Sequence, residues 1–161
     1  MQLGTLPHDD TIAYLQAKFG LSGIQIELRE AYYLIEQTGN IPYYIQLLAA
    51  EIWQYMITSQ TEETTEIVDA CAKQIVNLKQ NYYYELFDRQ SVMQKQLLIA
   101  LVHSNDNIFS AHYTKRFRLS AASTTQKSVL VLMDSGIIDK TDSSYFISDP
   151  FFKRFLQNYA S

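Results

Sequence analysis

The residues of this chain best suited to touching a ligand stand together at Thr38-Gly39-Asn40-Ile41-Pro42-Tyr43-Tyr44-Ile45-Gln46-Leu47-Leu48. A Gly that can close one helix meets an Asn that can cap the next. A Pro then falls in the first turn, where a missing N–H costs nothing. The stretch predicts a tight joint between two helices. Two backbone-restricting residues, Gly39 and Pro42, thus stand beside two aromatic rings, Tyr43 and Tyr44. The plainer alternative is an ordinary link between two core helices.

A second set of side chains could meet nucleic acid. Lys115, Arg116 and Arg118 form a small basic patch. A helix over 123–135 is expected to show Thr124, Thr125, Lys127, Ser128 and Val131 on its outer face, and Lys140 stands by a turn. Phosphate-neutralising cations supply most of the affinity of a DNA reader. Here five cations are scattered among the seven acids of residues 82–161, and Asp134 lies near the helix end. Packing or protein contact is therefore the first expectation for this region, with DNA binding second.

Other chemistry is not expected. His8, His103 and His112 are far apart and lack metal-ligand spacing, and Cys71 is the single cysteine. Asp9-Asp10 and Glu62-Glu63 read as helix-start charges, not a catalytic pair. The serines cap helices, and none sits in a nucleophile-elbow pattern. No catalytic and no metal-binding residue is assigned.

Around these candidates, 161 residues suit one large domain or two small ones. The net charge of −4 is uneven: residues 1–81 carry four Lys/Arg against ten Asp/Glu, and residues 82–161 carry nine against seven. That asymmetry suggests two modules, 1–81 and 82–161. No apolar run reaches membrane-spanning length and no signal-like stretch opens the chain, so no membrane contact and a cytoplasmic setting are expected.

The first module reads as four helices. After an extended lead-in through Pro7, Asp9 and Asp10 open a helix with Ile12, Leu15 and Phe19 on one face, stopped by Gly20. The connector Leu21–Gln25 leads to a helix from about Glu27 with the stripe Leu28, Tyr32 and Ile35, ended by Gly39. A third runs from Pro42 to about Ile57, with Ile45, Leu47, Leu48 and Ile52 inward and Trp53 as a packing residue. Ser59 and Glu62 spell a capping box for a fourth, whose stripe is Ile67, Cys71, Ile75 and Leu78, with Val68, Ala72 and Val76 beside it. The run Tyr82-Tyr83-Tyr84 is expected to bridge the modules, since tyrosine suits a partly wet seam.

In the second module Ser91 and Gln94 make a capping box before Met93, Leu97, Leu98 and Leu101. Ser110 can cap a short helix with Tyr113 and Phe117. Ser123 and Gln126 make another box, before Val129, Leu130 and Met133, and this helix closes at Gly136. Ile137–Lys140, a polar turn Thr141–Ser144 and Tyr145–Ser148 read as a β-hairpin. Asp149-Pro150 restarts a helix carrying Phe151, Phe152, Phe155, Leu156 and Tyr159. The fold class expected is mainly α: a four-helix, lid-like bundle followed by a winged helix-turn-helix with a small hairpin wing.

This order resembles the C-terminal part of the archaeal-type and STAND-like branch of the AAA+ P-loop ATPases, which are common in bacteria and archaea. The resemblance is carried by the lead-in Leu3-Gly4-Thr5-Leu6-Pro7, the joint 38–48 and the closing Ser148-Asp149-Pro150-Phe151-Phe152-Lys153-Arg154-Phe155-Leu156. It implies a helical lid over a nucleotide, with Gly39, Pro42 and Tyr43 near it. Many such lids place an Arg directly after this Pro to contact the γ-phosphate. Here that place holds Tyr43, and no charge sensor is carried over. The chain has no G-x-x-x-x-G-K-[ST] sequence. The resemblance thus implies a lid and winged helix belonging to a longer protein, with ATP and Mg²⁺ held by a P-loop domain, no cofactor in this chain and no hydrolysis by it. Its partners would be that P-loop domain and, through the winged helix, a protein or DNA. The rival expectation is a free-standing, DNA-binding transcriptional regulator.

Overall fold

Apolar residues at helical spacing, punctuated by caps and glycines, organise nearly all of this chain. The computed structural model describes residues 8–59, 65–142 and 144–160. Among them are nine α-helices and one two-stranded hairpin, divided into two compact units, Met1–Leu78 and Lys79–Ser161. The lead-in 3–7, Glu62 of the expected capping box and Ser143 of the expected turn lie outside the described residues.

The first unit holds α1 (His8–Gly20), α2 (Leu28–Gln37), α3 (Pro42–Ser59) and α4 (Thr65–Leu78). Leu15 and Phe19 of α1, Leu34 and Ile35 of α2, Ile45, Leu48 and Ile52 of α3, and Val68, Ala72 and Ile75 of α4 make its core. Two expected stripes shift. On α2, Leu28 and Tyr32 are exposed, while Ala31, Leu34, Ile35 and then Thr38 turn inward. The sequence offered two overlapping apolar stripes, and packing took the one whose small Ala31 lets neighbouring helices come close. On α3, Leu47 is only half-buried, and Ala49 and Met56 complete the inner face instead. Leu78, expected in the α4 stripe, is exposed.

The second unit begins with α5 (Gln80–Asp88), which contains the tyrosine run. Helical spacing separates the three rings. Tyr83 is fully buried, against Phe152 and Phe155 of this unit, whereas Tyr82 and Tyr84 are exposed. The capping box of α6 (Val92–His103) forms completely. Ser91 Oγ accepts the Gln94 N–H at 3.2 Å, and Gln94 Oε1 accepts the Ser91 N–H at 3.0 Å. Ser110 caps α7 (Ala111–Arg116) by accepting the Tyr113 N–H at 3.1 Å.

The expected box at Ser123 and Gln126 does not cap α8 (Ala122–Asp134). The N–H groups of Thr124 and Thr125 both reach the Ala121 carbonyl, at 2.9 and 3.1 Å, so the first turn closes around Ala121 and Ser123 is already helical. After Gly136, β1 (Ile138–Lys140) pairs antiparallel with β2 (Tyr145–Ile147), in the register Ile138↔Ile147 and Lys140↔Tyr145. Asp149 then caps α9 (Pro150–Ala160), with Pro150 at the first helical position. Phe151, Phe152, Phe155 and Leu156 bury their side chains, and Tyr159 stays exposed.

Candidate functional site

The joint between α2 and α3 is built by its backbone. Gly39 and Asn40 both adopt left-handed conformations, with φ of 61° and 55°. The Gly39 N–H donates to the Glu36 carbonyl at 3.3 Å and the Asn40 N–H to the Ile35 carbonyl at 3.0 Å. This paired bonding is a Schellman closure, with Gly at the position that most needs positive φ. A Cβ on Gly39 would meet only the Ile41 side chain, at 3.7 Å, so the backbone angle rather than crowding calls for glycine.

Asn40 departs from its expected part. The residue preceding α3 is Ile41, whose carbonyl accepts the Ile45 N–H at 3.0 Å. Asn40 is one place too early to be the N-cap and belongs to the end of α2. It is buried, and its Oδ1 accepts the Thr11 hydroxyl of α1 at 3.3 Å. Thr38, also buried, donates its hydroxyl to the Leu34 and Ile35 carbonyls, at 2.9 and 3.0 Å. Three elements therefore fix the joint.

What the joint presents outward is aromatic. Pro42 is half-buried at the first position of α3, and Tyr43 is 62% exposed. The Tyr43 ring stands edge-on to Tyr44, with centroids 5.1 Å apart and planes at 77°. A half-buried proline next to an exposed ring steadied by a second ring suits stacking against a flat heterocycle. Gly39 is exposed beside them, so all three carried-over positions lie on the joint.

The candidate nucleic-acid residues are brought together only in part. Lys115 and Arg116 end α7, and Arg118 follows at φ 53°; all three are exposed. The Arg116 guanidinium lies 4.9 Å from the Phe117 ring centroid. Lys115 and Arg118 line an open groove with Phe109, Thr114, Leu119 and Ala122. Tyr113 anchors α7 from below: its hydroxyl donates to the Ser104 carbonyl at 2.7 Å. Burial raises its phenol well above the ordinary tyrosine range, and Arg116 opposes this only in part. Lys140 lies over the Tyr145 ring at 5.3 Å.

On α8 the expected outer face is wrong at two positions. Thr125 is 3% exposed, its hydroxyl directed to the Ser120 carbonyl at 3.4 Å, and Ser128 is also buried. Thr124 is half-buried, and Lys127 is exposed. Thr125, Ser128, Val129 and Leu132, at helical spacing, form the inward face. Leu130, expected in the core, lies at the surface beside Val131, where they are 61% and 48% exposed. An outer face with two aliphatic residues and one cation is poor at reading phosphate.

No local sequence pattern singles out Glu30. It is 7% exposed in the first turn of α2, and its Oε2 is buried without a hydrogen-bond partner. Among the described residues no group of His, Cys, Asp and Glu is placed to hold a metal ion, and no helix is long and apolar enough to cross a membrane.

Four consecutive helices, α5 to α8, a hairpin and the closing α9 make up the second unit. Residues 81–158 match the family described as "Probable winged helix domain". The second unit has the winged-helix fold. In that fold α8 occupies the recognition-helix position and β1–β2 form the wing. No curated protein matches the chain. Among solved structures, the Walker-type ATPase PABY2304 of Pyrococcus abyssi is similar in fold, with a TM-score of 0.71 and 14% identity. The similarity covers 95% of this chain and 42% of that one. This chain thus spans less than half the length of that ATPase.

Proposed function

We propose that this chain is the C-terminal accessory region of an AAA+/STAND-type ATPase. The four-helix unit closes as a lid over ATP held by a P-loop domain of the same protein. The winged helix relays that closure to a partner, a protein in preference to DNA. Bound ATP supplies the phosphoanhydride to be cleaved and, with Mg²⁺, belongs to the P-loop domain. This chain contributes the wall of Pro42 and Tyr43, held in place by the closure at Gly39, and carries out no hydrolysis. The setting is the cytoplasm.

The observation that carries this reading is the fold likeness to a Walker-type ATPase along 95% of the chain, in a sequence without a glycine-rich phosphate loop. The exposed Tyr43 ring at the helix joint fits a base-covering part. The test is ATP turnover by the purified 161-residue chain, expected at background. Turnover abolished by a single substitution within this chain would overturn the reading.

A further inference from the structure

The outer face of α8 is self-complementary. Successive residues on a helix are 100° apart, so Lys127, Leu130, Val131 and Asp134 share one stripe, opposite the buried Thr125, Ser128, Val129 and Leu132. Leu130 and Val131 are the exposed aliphatic centre of that stripe. Lys127 lies three residues before Leu130, and Asp134 three after Val131. A two-fold axis between Leu130 and Val131 therefore sets Leu130 opposite Val131 of a second, antiparallel helix. The same axis sets Lys127 opposite Asp134, twice over.

We propose that α8 is the contact face of a homodimer, in which two copies of this chain pair antiparallel through Leu130 and Val131 with reciprocal Lys127–Asp134 ion pairs. Among the described residues neither Lys127 nor Asp134 has an ion-pair partner in its own chain. Asp134 ends α8, where the helix dipole disfavours a carboxylate. A lysine from the second copy relieves that. Nucleic acid fits this face less well, because two aliphatic side chains would meet phosphate and Asp134 would repel it. An interface made from one helix face lies at the small end of specific contacts, so the dimer is weak and concentration-dependent. The inference rests on the winged-helix unit and not on the ATPase reading, and either can fail alone.

Sedimentation velocity of the full 161-residue chain over a concentration series tests it. Self-association is expected, weakened tenfold or more by Lys127→Glu alone and by Asp134→Lys alone. Both residues are exposed, and circular dichroism verifies the fold. An equimolar mixture of the two single variants should pair again, since each variant then meets its complement, and the double variant should dimerise by itself. A chain monomeric at every concentration, a dimer indifferent to both reversals, or single variants that fail to pair when mixed would each overturn the proposal. So would duplex DNA bound through this face and lost on Leu130→Asp.

Discussion

The Tyr83 hydroxyl donates a 2.7 Å hydrogen bond to Asp149 Oδ2, joining α5 to the start of α9 across 66 positions of sequence. The other oxygen of that carboxylate, Oδ1, accepts the N–H groups of Phe151 and Phe152, at 2.8 and 3.3 Å. One side chain thus caps a helix and fixes the preceding aromatic element against it. A charged acceptor strengthens both interactions.

Tyr83→Phe should destabilise the winged-helix unit by about 1.5–3 kcal/mol, the usual range for a hydrogen bond to a charged group. Asp149→Ala loses the cap as well, a further ~0.5–2 kcal/mol. The two losses should not add, because Asp149→Ala has already removed the acceptor for Tyr83. Urea denaturation of both single variants and the double measures the coupling. Strict additivity would show that the hydrogen bond contributes nothing.

Glu30 gives the opposite sign. Its buried Oε2 has no hydrogen-bond partner, so removing the carboxylate removes an unmet desolvation cost. Glu30→Met, similar in length, should raise the stability of the first unit by about 1 kcal/mol. A lower melting temperature in this variant would mean that the carboxylate is stabilising.

The basic patch makes a prediction about DNA. With Thr125 and Ser128 buried and five cations available, binding of generic duplex should be no tighter than about 10⁻⁵ M near physiological salt. Fluorescence anisotropy across a salt series measures it. Nanomolar affinity that falls steeply with salt and collapses on Lys115/Arg116/Arg118→Ala would favour the DNA-regulator reading.

Local signals located most elements of this fold. Ser91/Gln94, Ser110 and Asp149-Pro150 each act as caps where short-range chemistry says they should, because a cap depends on residues three apart and little else. Faces were harder to read. Leu28 and Tyr32 make as good a stripe as Ala31, Leu34 and Ile35, and only packing against other helices separates them. On α8, Val129 belongs to two adjoining stripes, one with Leu130 and Met133 and one with Thr125, Ser128 and Leu132, and packing took the second despite its hydroxyls. Tyr83 looked like a seam residue since its partners, Phe152 and Asp149, lie far along the chain. At the joint, Gly39 and Pro42 were legible from backbone preference alone. The link from Asn40 to Thr11 was not, being a contact between distant positions.

The central claim is that the joint faces nucleotide, and Tyr43 tests it most directly. Tyr43 is exposed, so Tyr43→Ala should leave the melting temperature nearly unchanged. In the longer, P-loop-bearing protein proposed above, a ring that covers the base would on removal cost about 1–3 kcal/mol, or roughly five- to a hundredfold in ATP affinity. Calorimetric titration with ATP, set beside the melting temperature of the same variant, gives both values. Weaker ATP binding by a fully folded variant is the expected result. Unchanged ATP affinity in that folded variant would contradict the account.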